Sequence, residues 1–366
     1  MQPSTLFLQN RTHRAGAQTS LARVLKHEKL RRWNPTLVCS RGGWLAEECE
    51  RQRVSVIQED FPRSRSLAGR LFGNAAFARR IAGRLSERSI HAAIVQANDH
   101  QEGLLGLEVA RRTGARTAMF LRSIALRRED YFKYRCNEYD VIFAVGDELV
   151  SRVQTWDAAD TIELIHDGVT DEDFLPAKTR SESAPRRVLV IGSAQELKGW
   201  ADVIDALEIL EQEGALPPMQ FDFTGSMPEA TENDLKLWRL GAARCNFLGR
   251  VDAFRELVRD YDLVVNPSRM ETFGMAAVEV LAAGVPLLSS RTGVMEQVQE
   301  ASEMLFTPAR PDQLASALKR LLQEWPQLDP GVTRSQENIR RRFMIDRTVD
   351  AVIAAYDGLL GAKPSG

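Results

Sequence analysis

The chain is poor in the groups that build metal sites and disulfide frameworks. Four cysteines (Cys39, Cys49, Cys136 and Cys245) stand in 366 residues with no pair at zinc-type spacing, and five histidines are scattered at 13, 27, 91, 100 and 166. No metal site is expected, and a reducing cytoplasm is the expected compartment. No apolar run approaches the roughly 20 residues that span a bilayer. The first residues, "MQPSTLFLQNRTHRAG", lack the basic start, apolar centre and cleavage site of a secretory leader. Several short motifs are missing as well. No G-x-G-x-x-G follows the first strand of either half, which argues against nicotinamide chemistry. G-x-x-x-x-G-K-[ST], H-E-x-x-H and G-x-S-x-G are also absent, which excludes the common P-loop, zincin and hydrolase solutions.

What is present describes a soluble globular protein, with 44% hydrophobic and 27% charged residues. The length suits two domains of roughly 150–180 residues. The net charge of −2 hides a polarity. Residues 1–135 carry 25 Lys and Arg against 12 Asp and Glu, a net of +13, whereas residues 136–366 carry 23 against 38, a net of −15. A basic front half points to an anionic partner. The absence of aromatics interleaved with the basic stretch, and the acidic back half, argue against nucleic acid.

Short β-rich runs alternate with helical stretches along both halves, the pattern of parallel sheets built from βαβ units. "TLFLQ", "TLVCS", "VSVI", "AAIVQA", "TAMFL" and "VIFAV" read as strands of the front half; "RVLVIG", "FDFTG", "CNFLG", "LVVNPS" and "PLLSS" read as strands of the back half. The fold class expected is α/β, with two doubly wound, Rossmann-like domains facing across a cleft. Residues 1–170 form the first domain, 171–186 a polar linker and 187–345 the second domain. A last apolar-striped helix at about 346–361 is assigned to the first.

In such sheets the strand-to-helix loops gather at the carboxyl edge, where backbone N–H groups and helix dipoles favour phosphate. "RAGAQT" brings backbone close at Gly16, and "GSAQELKG" puts Ser193 and Lys198 near a helix start. "ETFGMAAVE" places Glu271 just before a short apolar helix and Glu279 inside it. Eight residues span roughly 12 Å of rise, which suits two ends of a long ligand and not the 5–10 Å of a paired-carboxylate hydrolase. With the helix starting near Phe273 or Gly274, the N–H groups of Phe273, Gly274 and Met275 face the ligand, and Glu271 accepts hydrogen bonds from sugar hydroxyls.

These segments resemble a known family. "NPSRMETFGMAAVEVLAAGVPLLSSRTGVMEQV" is similar to the donor-site signature of glycosyltransferase family 4, the retaining GT-B transferases, with Glu271 and Glu279 as its E-x7-E element. "AGAQTSLARVL" resembles the family's N-terminal glycine loop, "IELIHDGVTDEDF" its hinge, "VLVIGSAQELKG" its second phosphate loop and "CNFLGRV" its base-side strand; the final helix resembles the one that returns to the first domain. The likeness runs over nearly the whole chain.

The resemblance implies that Glu271 and the backbone of Phe273, Gly274 and Met275 bind the donor sugar. Glu279 holds the ribose, Lys198 the diphosphate, and the backbone of Gly249, Arg250 and Val251 the base. Gly16 and Gly192 let backbone approach phosphate. His13, Arg14, Gln18 and Arg122 are the acceptor-side candidates. Retention with neither a protein nucleophile nor a metal is implied, with no cofactor beyond the sugar nucleotide. The chain departs from the pattern at Ser193, where the family carries arginine, so Arg269 or Arg250 is expected to supply the missing charge. Asp167 replaces the hinge asparagine, and Arg122 stands where many members have histidine.

The acceptor expected is a glycan, lipid-linked or a polysaccharide precursor. Residues 61–85 carry six arginines and no acid, a basic amphipathic stretch suited to an anionic membrane at the inner face. Two other functions fit the fold: a sugar-nucleotide epimerase or phosphorylase, and a catalytically silent module that binds a glycan.

Overall fold

The computed structural model describes residues 3–62, 67–157, 161–179, 185–216, 219–226, 245–251, 253–325 and 331–361, with residues 67–71 described by their backbone. They form two compact units, Met1–Gly168 with Ile345–Gly366 and Val169–Met344.

The first unit is built on seven described strands, β1 (Ser4–Gln9), β2 (Thr36–Cys39), β3 (Ser55–Gln58), β4 (Ala92–Ala97), β5 (Arg116–Leu121), β6 (Val141–Ala144) and β7 (Ile162–Leu164). All pair in parallel in the order β3-β2-β1-β4-β5-β6-β7. Near-continuous apolar runs such as "LFL" and "AIV" bury both faces, as a sheet covered by helices requires. Helices α1 (Gly16–Lys26), α2 (Trp44–Arg51), α3 (Leu67–Glu87), α4 (Gly103–Thr113), α5 (Arg128–Lys133) and α6 (Asp147–Gln154) connect them. β7 escapes a periodicity reading because it is a three-residue edge strand whose Glu163 and Leu164 are exposed.

The second unit repeats the plan. Its described strands are β8 (Arg187–Ile191), β9 (Gln220–Thr224), β10 (Cys245–Gly249), β11 (Leu263–Asn266), β12 (Leu287–Ser290) and the two-residue β13 (Leu305–Phe306), in the order β10-β9-β8-β11-β12-β13. The helices are α7 (Trp200–Gln212), α8 (Phe254–Val258), α9 (Met275–Ala282), α10 (Met295–Val298), α11 (Pro311–Glu324) and α12 (Val332–Arg342). In each sheet the strand order reverses once, between β1 and β4 and between β8 and β11. These reversals open crevices at the carboxyl edge, where open α/β sheets bind ligands.

The last helix, α13 (Ile345–Leu359), belongs to the first unit, where the Tyr356 hydroxyl donates to Gln96 and Lys29 pairs with Asp350 at 2.8 Å. Of the linker 171–186, residues 180–184 lie outside the described residues. The preceding stretch is not a free tether. Leu175 N–H donates to Ala282 O (3.0 Å), Lys178 Nζ to Tyr261 O (2.6 Å) and Arg259 to Pro176 O (2.9 Å), so its backbone and lysine hydrogen-bond to the second unit.

The basic stretch 61–85 also takes a more specific form. Residues 63–66 lie outside the described residues. Within α3, Phe77, Ile81 and Leu85 are buried in the core. Arg80 and Arg84, both partly exposed, converge on one carboxylate: their Nε atoms donate to the two oxygens of the buried Glu59 at 3.0 and 3.1 Å. Phe72 is 77% exposed on the same helix.

Candidate donor site and its surroundings

In the second unit the carboxyl-edge loops pack closely enough to require glycine at defined points. Gly192 (φ +136°) follows β8, and a Cβ there would lie 3.2 Å from Lys198 Cβ and from Trp200 Nε1. Gly199 (φ +67°) N-caps α7, and its Cβ would meet Pro267 O at 2.0 Å. Between them Lys198 N–H donates to Gln195 O at 2.8 Å, a tight turn that fixes where the lysine leaves the backbone.

The turn delivers Lys198 to Glu271. Nζ lies 2.6 Å from Glu271 Oε1, and the same oxygen accepts from Ser268 Oγ at 2.8 Å. The Ser268 carbonyl in turn accepts from Ser290 Oγ at 2.6 Å, tying the ends of β11 and β12 together. Two candidate residues from different loops, 73 positions apart, thus meet in one contact. Ser268 is a member of the site that sequence reasoning missed; its only signal is its position three residues before Glu271.

α9 begins at Met275, with Gly274 (φ +91°) as its N-cap, slightly later than the expected start near Phe273 or Gly274. Gly274 O accepts from the N–H groups of Ala277 (3.0 Å) and Val278 (3.1 Å). Phe273 is buried against Phe343 with ring centroids 5.4 Å apart, and its carbonyl accepts from Val294 N–H at 3.0 Å. Glu279 is half-buried in the second turn of α9. Gly293 (φ +57°) lies so close beneath Phe273 that a Cβ would fall 2.2 Å from its carbonyl oxygen. Gly293→Ala is therefore expected to displace residues 271–274 and cut any donor affinity by at least roughly tenfold, a loss of about 1.4 kcal/mol. Titration calorimetry with a sugar nucleotide checks it, and circular dichroism confirms the fold.

Arg269, expected to supply the charge missing at Ser193, is ion-paired. Its guanidinium donates to both oxygens of Asp202 (2.8 and 2.7 Å) and to Glu196 (3.1 Å), and its backbone N–H donates to Leu197 O (2.8 Å). The arginine braces the lysine turn against the Glu271 loop. Ser193 is buried, its Oγ accepting from Gln195 N–H at 3.4 Å. At the neighbouring loops Gly249 O accepts from Gly225 N–H (2.8 Å), Val251 is half-buried and Arg250 is exposed.

The first unit holds the remaining candidates. Gly16 is the first residue of α1, behind an N-cap Ala15 that makes no side-chain cap. His13 and Arg14 are exposed, with Arg14 over the Trp44 ring at 5.3 Å, whereas Gln18 is buried. Arg122 is buried too: it pairs with Asp167, donates from Nε to Asn98 Oδ1 (3.2 Å) and lies over the Phe120 ring (4.3 Å). Its charge is paired within the unit.

Sequence reasoning also missed a buried carboxyl group in the first unit. Glu102 follows β4, is fully buried, and accepts from Asn10 N–H at 3.0 Å through Oε1, while Oε2 has no hydrogen-bond partner. Burial, reinforced by the Asp99 charge, pushes its pKa from 4.5 up to about 7. Burial pulls the adjacent His100 down, but hydrogen bonding and charge from Asp99, 2.9 Å away, outweigh this and raise it. Because the folded Glu102 holds its proton to higher pH than the unfolded chain does, its contribution to stability is full below pH 4.5 and is lost as pH rises to about 7. Glu102→Gln should remove that fall and stabilise the chain by about 3 kcal/mol at pH 8. Chemical denaturation of both proteins at pH 5 and pH 8 measures the difference.

Residues 185–324, which carry Lys198, Glu271 and Glu279, match the family model for glycosyl transferases group 1. The matched residues all lie within the second unit. An uncharacterized glycosyltransferase of Methanocaldococcus jannaschii is 30% identical over 177 residues, 47% of this chain and 44% of that protein. A D-inositol 3-phosphate glycosyltransferase of Salinispora tropica is 29% identical over 255 residues, 59% of this chain and 52% of that protein. The chain spans about half the length of these curated relatives. Anabaena HepE, solved in complex with UDP and glucose, superposes with a TM-score of 0.79 at 18% identity, covering 96% of this chain and 99% of HepE. The fold is GT-B. Among the described residues no helix is long and apolar enough to cross a membrane.

Proposed function

We propose that the chain is a retaining glycosyltransferase of family 4 that moves a sugar from a nucleoside diphosphate to a glycan. The observation that carries this reading is the 2.6 Å contact between Lys198 and Glu271 at the carboxyl edge of the second sheet. It puts one cation and one carboxylate, the groups that a diphosphate and a sugar require, at adjoining points. HepE was solved with UDP and glucose, which supports a UDP-sugar as the first donor to test.

In the proposed reaction the bond from the anomeric carbon to the β-phosphate oxygen breaks and a bond to the acceptor hydroxyl forms on the same face. The hydroxyl proton passes to the departing diphosphate. Lys198 stabilises the charge developing on that diphosphate, Glu271 with the 273–275 backbone orients the sugar, and Glu279 takes the ribose as the second glutamate of E-x7-E. Gly249, Arg250 and Val251 take the base. No cofactor or metal is assigned a role. His13, Arg14 and Gln18 remain the acceptor-side candidates, and the exposed Phe72 of α3 supports a peripheral membrane contact by an otherwise cytoplasmic protein.

The paired Arg269 and the buried Ser193 favour a second reading, a catalytically silent GT-B module that binds a glycan. Incubation with UDP-, GDP- and ADP-sugars separates the two. A transferase releases nucleoside diphosphate slowly without acceptor and faster with one, whereas a silent module releases none.

A further inference from the structure

Lys198 and Glu271 pair with each other at 2.6 Å, and from this we infer that the site discriminates between intact donor and spent nucleotide by exchanging that pair. The inference rests on the donor reading above. Among the described residues Lys198 is the only cation within ion-pair distance of Glu271. Arg269 cannot replace it, because its guanidinium is committed to Asp202 and Glu196. Glu271 is 19% exposed, so a carboxylate deprived of its cation there is only partly compensated by water.

The two ligands treat this pair differently. An intact sugar nucleotide draws Lys198 onto its diphosphate and gives Glu271 sugar hydroxyls in exchange, so both groups stay satisfied. A bare nucleoside diphosphate takes Lys198 and returns nothing to Glu271. The product therefore binds less well than its contacts with lysine alone would allow, and the re-forming pair helps to expel it after transfer.

Ser268 makes the exchange orderly. Its buried hydroxyl donates to the same Oε1 as Lys198, so Glu271 keeps one neutral partner when the lysine swings away. The Ser290 bond to the Ser268 carbonyl holds that hydroxyl in place. Ser268 is thus a positioning residue for Glu271.

The test is titration calorimetry of the full chain with UDP, GDP and ADP and with their glucose esters. Glu271→Gln removes the pair while leaving the lysine, so the bare diphosphate should bind roughly fivefold tighter than to wild type. The glucose ester should bind less tightly, reversing the preference. Ser268→Ala should weaken the glucose ester several-fold without strengthening the bare nucleotide, and Ser268→Thr should restore it. A misfolded variant cannot gain affinity, so tighter binding of the bare nucleotide is diagnostic. If wild type binds nucleotide and Glu271→Gln binds it no tighter, the exchange is overturned and the donor reading survives. If wild type binds none of the six ligands, the donor reading is overturned and the exchange falls with it.

Discussion

Glu271→Ala is expected to slow sugar transfer by roughly 10²–10³-fold, the loss typical of removing one preorganised polar group from a reacting centre. Its side chain accepts from Lys198 and Ser268 and, among the described residues, is the one carboxylate paired with that lysine. Truncation takes away the sugar's acceptor and lets the lysine relax from its aimed position. Thermal stability should change little, at most about 1 kcal/mol, because the truncation removes the Glu271 charge together with the pair and leaves Lys198, 32% exposed, to water. Initial rates of nucleotide release with an acceptor glycan, together with a thermal melt, separate loss of chemistry from loss of fold. A variant that transfers sugar at the wild-type rate would remove Glu271 from the site.

Asp167→Ala should have the largest effect on stability. Arg122 and Asp167 pair with side chains only 5% and 8% exposed, so removing the carboxylate strands a buried guanidinium. Breaking such a pair from one side costs about 3–5 kcal/mol. For a unit of this size that corresponds to a fall in Tm of roughly 10 °C. Asp167→Asn, which restores the asparagine of the family pattern, keeps a hydrogen-bond acceptor beside Arg122 and should lose less. Differential scanning calorimetry of both variants decides it; equal and small shifts would mean that Arg122 finds another partner.

Much of the fold was legible because parallel strands buried on both faces leave continuous apolar runs that helices of ordinary length separate. "VLVIG", "AAIVQA" and "LVVNPS" carry that signal; β7 and β13, at three and two residues, are too short to carry any. The loops that carry the candidate residues could be read from local chemistry, since Gly192 marks a close backbone approach and Lys198 and Glu271 are charges set at helix starts.

Long-range pairing could not be read. No local pattern says that Arg269 turns back 67 residues to Asp202, that Arg122 reaches 45 residues forward to Asp167, or that Glu59 gathers Arg80 and Arg84. Each of these arginines looked available because its partner is brought to it only by the sheet. Glu102 was hidden for the same reason: "NDHQE" reads as a polar loop until the switch point between β1 and β4 buries its carboxyl group.

The most direct test of the proposed chemistry is the release of nucleoside diphosphate from UDP-glucose, GDP-glucose and ADP-glucose by wild type and by Lys198→Met, followed by chromatography over hours. Transfer chemistry at Lys198 and Glu271 predicts slow release from one of the donors by wild type, falling at least roughly a hundredfold in the variant. No release from any donor, or equal release by both proteins, would contradict it.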